Sequence, residues 1–129
     1  MRHFATACSL AVDLICVSGC DLFGPRYCTT EAIAAISVEI RDVADARPLA
    51  DSATARVTDG SFSDTLMVCA LTMDYRPLSR CGVWERPGTY DVLVTRRGYL
   101  PWSQTGVHVS RGKCHVEPSH LRASLASAP

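Results

Sequence analysis

Seven cysteines and four histidines carry most of the reactive chemistry in this 129-residue chain. His108, Cys114, His115 and His120 crowd into one late stretch, and thiolate with imidazole is the donor set of a zinc or copper site. No Cys-x-x-Cys or His-x-x-x-His pair supports a cage, however, and His108 sits between Val107 and Val109, so a strand there points it away from the core. Neither a metal nor another cofactor is expected. A hydroxyl nucleophile fares no better. Ser61 and Ser63 flank a turn to which Asp59 belongs, and there is no Gly-x-Ser-x-Gly elbow. No catalytic residue is assigned.

Cys20 offers a different chemistry. It closes Val17-Ser18-Gly19-Cys20 behind an apolar run from Phe4 to Val17, with Arg2 in front, which is the layout of a signal peptide. The run resembles a bacterial lipobox, where a peptidase cuts before the cysteine and the thiol carries a diacylglycerol. Residues 1–19 are then a lipoprotein signal peptide, 20–27 a short tether, and 28–127 the folded domain. Lipid would hold that domain to a membrane of the bacterial cell envelope, on its periplasmic or surface face. The apolar run of 14 residues is short of the ~20 a spanning helix needs. Asp13 interrupts it at a place where a carboxylate is costly, so a soluble N-terminal helix that merely contains Cys20 is the competing layout. The seven-residue tether Asp21–Tyr27 reaches at most about 25 Å, which keeps the domain close to the bilayer. Asp21 resembles an inner-membrane retention signal.

Removal of the leader simplifies the cysteines. Cys8 and Cys16 leave with it and Cys20 is taken by lipid, so Cys28, Cys69, Cys81 and Cys114 remain. An even number in an exported domain points to two disulfides, and three pairings are open. Cys28–Cys114 is expected to fasten the start of the first strand to the start of the last, and Cys69–Cys81 to close the loop Ala70–Arg80. In the chain-entropy picture they contribute roughly 4–5 and 3 kcal/mol. The formal net charge is zero and no basic patch stands out, which argues against nucleic acid as a partner.

Stepwise alternation marks the elements that would position these residues. Ile36, Val38 and Ile40 alternate with Ser37, Glu39 and Arg41, and Ala53, Ala55 and Val57 with Thr54, Arg56 and Thr58. Asp59-Gly60 reads as a tight hairpin turn, and the next strand is expected to carry Phe62, Leu66 and Val68 on one face. Arg86-Pro87-Gly88-Thr89 reads as a β-turn. It leads into Tyr90, Val92 and Val94 on one face and Asp91, Leu93 and Thr95 on the other. Val107 and Val109 mark a further strand. Ser110–Lys113 turns into a last strand with Val116, Leu121 and Leu125, whose parity predicts a bulge near Pro118. The pattern predicts an all-β fold, a single antiparallel β-sandwich of about seven strands.

The order Arg47-Pro48-Leu49-Ala50, Thr58-Asp59-Gly60-Ser61-Phe62, Arg86-Pro87-Gly88-Thr89-Tyr90-Asp91-Val92 and Arg97-Gly98-Tyr99 is similar to the carboxypeptidase regulatory-like domain, over roughly residues 30–127. The resemblance implies a prealbumin-like (transthyretin-like) sandwich and brings no active site. In the namesake enzymes the domain is an appendage to the peptidase. Ala46 stands where the family pattern has glycine, and the Cys69–Cys81 insertion is not a general feature. Hydroxyisourate hydrolases share the sandwich, but their C-terminal Tyr-Arg-Gly-Ser and early catalytic histidines are absent.

Binding is left to loops and aromatics. Trp84, Tyr99 and Trp102 suit core and corner packing. Leu71, Met73 and Tyr75, in the disulfide-closed loop, are the candidate contact loop, because a staple lowers the ordering cost of binding; the alternative is that this loop covers the sandwich edge. The reading is a lipid-anchored, non-enzymatic envelope module for a protein, peptide or glycan. The other class is an enzyme or metal-handling protein on a transthyretin-like sandwich.

Overall fold

The computed structural model describes residues 27–129; the expected signal peptide, Cys20 and residues 21–26 of the tether lie outside the described residues. Alternating sequence becomes alternating faces along eight strands: β1 (Ala34–Asp42), β2 (Thr54–Asp59), β3 (Phe62–Thr65), β4 (Met67–Leu71), β5 (Pro77–Trp84), β6 (Gly88–Thr95), β7 (Trp102–Val109) and β8 (Ser119–Leu125). The first sheet has the order β4-β5-β1-β8 and the second β3-β2-β6-β7. All neighbours are antiparallel except β1 and β8, which run parallel. The fold is an all-β sandwich, and the described residues contain no helix.

Between the sheets lie Ile36, Val38 and Ile40 of β1, Ala55 and Val57 of β2, Tyr90, Val92 and Val94 of β6, Val107 and Val109 of β7, and Ala123 and Leu125 of β8. Each fully buried aliphatic side chain contributes roughly 1.5–3 kcal/mol, so this inner layer is the main source of stability. The polar residues between them face solvent or the flanks, His108 among them. The hairpin β2–β3 turns through Gly60-Ser61, with Gly60 at φ 58°, at the first of the two loop positions, where a II′ turn places its glycine.

Four local expectations are corrected. Eight strands agree with the expected count of about seven, but the segment drawn as the loop Ala70–Arg80 contains the first half of β5, which lies inside the first sheet between β4 and β1. Pro77 is tolerated as the first residue of that strand, and Arg80 is accommodated by donating to the carbonyls of Ala50 (2.9 Å), Leu66 (3.2 Å) and Asp51 (3.4 Å). Phe62, Leu66 and Val68 do not share one strand face. The chain passes from one sheet to the other at Leu66, whose side chain is buried while Val68 is exposed. Gly82 leaves the space, since a Cβ there would meet Leu66 Cδ2 at 2.9 Å. Gly88 is not in a turn but opens β6, the turn falling at Glu85 with φ 53°. Finally, Val116 pairs with Arg111 in an isolated bridge ahead of β8, so Pro118 separates two segments rather than marking a bulge in one strand.

Candidate functional site

The β4–β5 hairpin concentrates exposed apolar side chains. Ten large hydrophobic residues are exposed among the described residues, and Met67, Val68, Leu71, Met73 and Tyr75 of this hairpin make up half of them. Met73 is 100% exposed and Tyr75 83%. The tip is nonetheless well formed. Thr72 N–H donates to the Arg76 carbonyl (2.8 Å), Tyr75 N–H to the Thr72 carbonyl (3.0 Å), and Arg76 N–H to Thr72 Oγ1 (3.0 Å). Tyr75 then takes φ 61°, as the third residue of a three-residue hairpin loop does. The Thr72 hydroxyl donates to the Asp74 carboxylate and holds its pKa below the usual range.

Cys69 and Cys81 are joined across the stem with Cα atoms 5.9 Å apart. The ladder pairs Val68 with Arg80 and Ala70 with Ser79, so Cys69 is the extra residue of a bulge, and bulges re-aim side chains. Cys28 and Cys114 form the second bridge, with Cα atoms 5.2 Å apart. Both pairings agree with expectation, although Cys28 and Cys114 lie in the segments ahead of β1 and β8 rather than at the strand starts. The expected contact residues Leu71, Met73 and Tyr75 are thus together at one tip. Of the aromatics, Tyr99 and Trp102 pack against the core and Trp84 is exposed.

The late histidines do not converge. His108 lies beside Thr89 on the outer face of the second sheet (Nδ1 to Oγ1 3.2 Å), His120 is exposed in β8, and Cys114 is in its disulfide. Among the described residues no three His, Cys, Asp or Glu side chains are grouped to hold a metal ion. His115 is engaged instead by Glu85 Oε1 at its Nδ1 (2.7 Å) and by Thr29 Oγ1 at its Nε2 (2.9 Å). A carboxylate only accepts, so Nδ1 carries a proton, and in the neutral imidazole Nε2 then accepts from the threonine hydroxyl. This is a hydroxyl–imidazole–carboxylate relay. No reading of spacing alone points to it, because its members lie on three segments far apart in the chain. Glu85 also accepts from the Ile33 (2.7 Å) and Val116 (3.3 Å) amides, and the Ile33 amide is the main reason its pKa lies below the usual range, with His115 adding to the effect.

A second carboxylate acts at the other end. Asp42, 5% exposed, accepts from Ala44 N–H (2.7 Å), the Tyr99 hydroxyl (2.8 Å) and Arg47 Nη2 (3.1 Å). The Ala44 amide and then Tyr99 hold its pKa below the usual carboxylate range.

The chain matches no protein-family model, and no curated protein matches it significantly. No helix among the described residues is long and apolar enough to cross a membrane.

Proposed function

We propose that this protein is a non-enzymatic binding module of the bacterial envelope, tethered by lipid at Cys20, which holds a protein partner with the tip of its β4–β5 hairpin. The observation that carries this reading is the gathering of half the exposed large hydrophobic residues on that one hairpin. Isolated exposed apolar residues need no explanation, whereas grouped ones mark contact surfaces. The loop is ordered by its own hydrogen bonds and by the Cys69–Cys81 bridge, so little conformational entropy is lost when a partner closes over it.

Direction narrows the partner. The chain enters β1 at Ala34, opposite Trp84, near the Cys28–Cys114 bridge. The antiparallel β5 starts from the hairpin at Pro77 and ends at Trp84. Eight residues of strand put the tip roughly 25 Å from the tethered end. A lipid on Cys20 would anchor the opposite end of the sandwich, which favours a protein or peptide over the bilayer itself as the partner of the tip. Membership of the carboxypeptidase regulatory-like family is part of the proposal. It is supported by the two four-stranded sheets and by Ala46, which has φ 59° where the family pattern carries glycine.

A photo-crosslinking residue at position 73 or 75 in the cell tests the reading. One adduct of the same mass from both positions, lost with Leu71→Ser, is expected. No adduct from either position would defeat the hairpin as a contact site.

The Thr29–His115–Glu85 relay favours a second reading, a hydrolase in which Thr29 Oγ1 attacks an acyl carbon while His115 takes its proton. The two amides on Glu85 fit a structural staple better. Labelling of Thr29 by a fluorophosphonate would reverse that order.

A further inference from the structure

The outer face of the second sheet holds a depression of about 280 Å³, lined by Arg56 and Thr58 of β2, Asp91 and Leu93 of β6, and Ser103 and Thr105 of β7. A solvent-facing sheet surface is ordinarily filled by its own side chains, and here a local irregularity leaves it open. The register of β6 against β7 slips between Tyr90 and Val92. Gly106 takes φ 68° beside the slip and donates its N–H to Asp91 Oδ1 (3.2 Å). Such bulges bend a strand and redirect its side chains. What remains beside Leu93, 42% exposed, is a row of short hydroxyl side chains on β7.

The lining is specific in kind. Arg56 has no ion-pair partner among the described residues, and its one hydrogen bond there is a long one to Ser63 Oγ (3.4 Å). One guanidinium and one carboxylate cancel, so no phosphate or metal cation is favoured by net charge. Around the apolar Leu93 stand three hydroxyls that both donate and accept, a donor-only fork and a carboxylate acceptor. A pyranose ring has the complementary make-up, an apolar C–H face edged by hydroxyls. The volume lies just under the roughly 300 Å³ at which sites for drug-sized ligands begin, which suits one ring.

We propose that this depression binds a single ring of a neutral glycan, with Leu93 against its C–H face and Arg56, Asp91 and the hydroxyls of Thr58, Ser103 and Thr105 reading its edge. The site is independent of the hairpin, which lies on the other sheet. Without an aromatic platform, one ring binds with a Kd on the order of 1 mM, and a polymer of such rings is retained more strongly through repeated engagement.

Methyl NMR titration of the protein with diacetylchitobiose and with maltose tests this. Saturable shifts of the Leu93, Thr58 and Thr105 methyls are expected with at least one sugar. Arg56→Ala and Leu93→Ser should each weaken binding at least tenfold, while His120→Ala, exposed on β8 of the other sheet, leaves it unchanged. The core methyls of Ile36 and Val38, on the other sheet, report whether each variant is folded, and Thr105→Val replaces any that is not. Co-sedimentation with isolated cell-wall sacculi, lost in Arg56→Ala, would identify a wall glycan as the source of the ring; shifts without co-sedimentation would identify a soluble sugar. Absence of shifts with both sugars up to about 20 mM, or an Arg56→Ala titration that saturates over the same sugar concentrations as the wild type, would overturn the proposal.

Discussion

Two carboxylates bind the ends of the sandwich by accepting hydrogen bonds, Asp42 beside Tyr99 and Arg47, and Glu85 beside Ile33, His115 and Val116. Both have folded-state pKa values below their ordinary ones. Their stabilisation is therefore complete above the unfolded values of about 3.9 for Asp and 4.3 for Glu, and it is lost as pH falls through the lower folded values. Thermal unfolding midpoints should stay level from pH 7 to 5 and fall below about pH 4. Asp42→Asn and Glu85→Gln should each lower the midpoint at pH 7 and make the acid fall shallower. Ala46 gives a prediction of opposite sign. Its φ of 59° costs a non-glycine residue about 1–2 kcal/mol, while glycine adds about 0.4–1 kcal/mol of unfolded-state entropy. Ala46→Gly should thus stabilise by about 0.5–1 kcal/mol in urea unfolding. At this scale the cysteine pairs were legible, because four cysteines allow only three pairings. The Glu85–His115–Thr29 relay was not, since its three residues meet only after the segment ahead of β1, the end of β5 and the segment ahead of β8 are in place.

Strands whose apolar and polar residues alternate strictly were readable in advance; β5 was not. In β1, Ile36, Val38 and Ile40 sit on the core face as the period of two requires. In β5 the sequence Pro77-Leu78-Ser79-Arg80-Cys81-Gly82 hides the period. Arg80 pairs with the core residue Val38, and its polar head is satisfied only by carbonyls of the 50–51 and 66 positions, which are tertiary partners. Gly88 was misassigned for a related reason. The Pro-Gly pair suggests a turn that needs positive φ, yet Gly88 lies in β6 outside the left-handed region, and what it supplies is space. A Cβ at this position would stand 2.7 Å from Asp59 Oδ2 and 3.1 Å from the Tyr90 ring. Those two groups take part in the clamp in which Arg86 Nη1 donates to Asp59 (2.9 Å) and to the Tyr90 hydroxyl (2.7 Å) and the guanidinium covers the Phe62 ring at 4.0 Å. Gly88→Ala should cost about 1–3 kcal/mol by overpacking. A turn glycine with positive φ would instead be rescued by asparagine, so a Gly88→Asn variant less stable than Gly88→Ala separates the two accounts in the same urea titration.

The molecule as a whole has a polarity that its composition conceals. Net charge is zero and no patch is obviously basic, but the ends of the sandwich differ. Cys28, Thr29 and His115 gather at the entry end, where Ala34 meets Trp84, while the hairpin leaves the sheet at Pro77, the opposite end of β5. The two-sheet architecture was legible from alternation alone, whereas this end-to-end arrangement needed the strand order, in which β5 inserts between β4 and β1. It matters only if the entry end is anchored, so Cys20 decides its meaning. Wild type and Cys20→Ala, compared by intact mass and membrane fractionation, should differ in two ways. The wild type should begin at Cys20, carry added acyl mass and sediment with membranes. The variant should keep residues 1–19, lack that mass and give no lipid-modified species. Two or three acyl chains suffice for stable attachment, whereas one does not, so the acyl mass also states how firmly the domain is held. An unprocessed wild type without acyl mass would remove the anchor. The hairpin would then have no defined direction, and its partner would have to be sought without reference to a membrane.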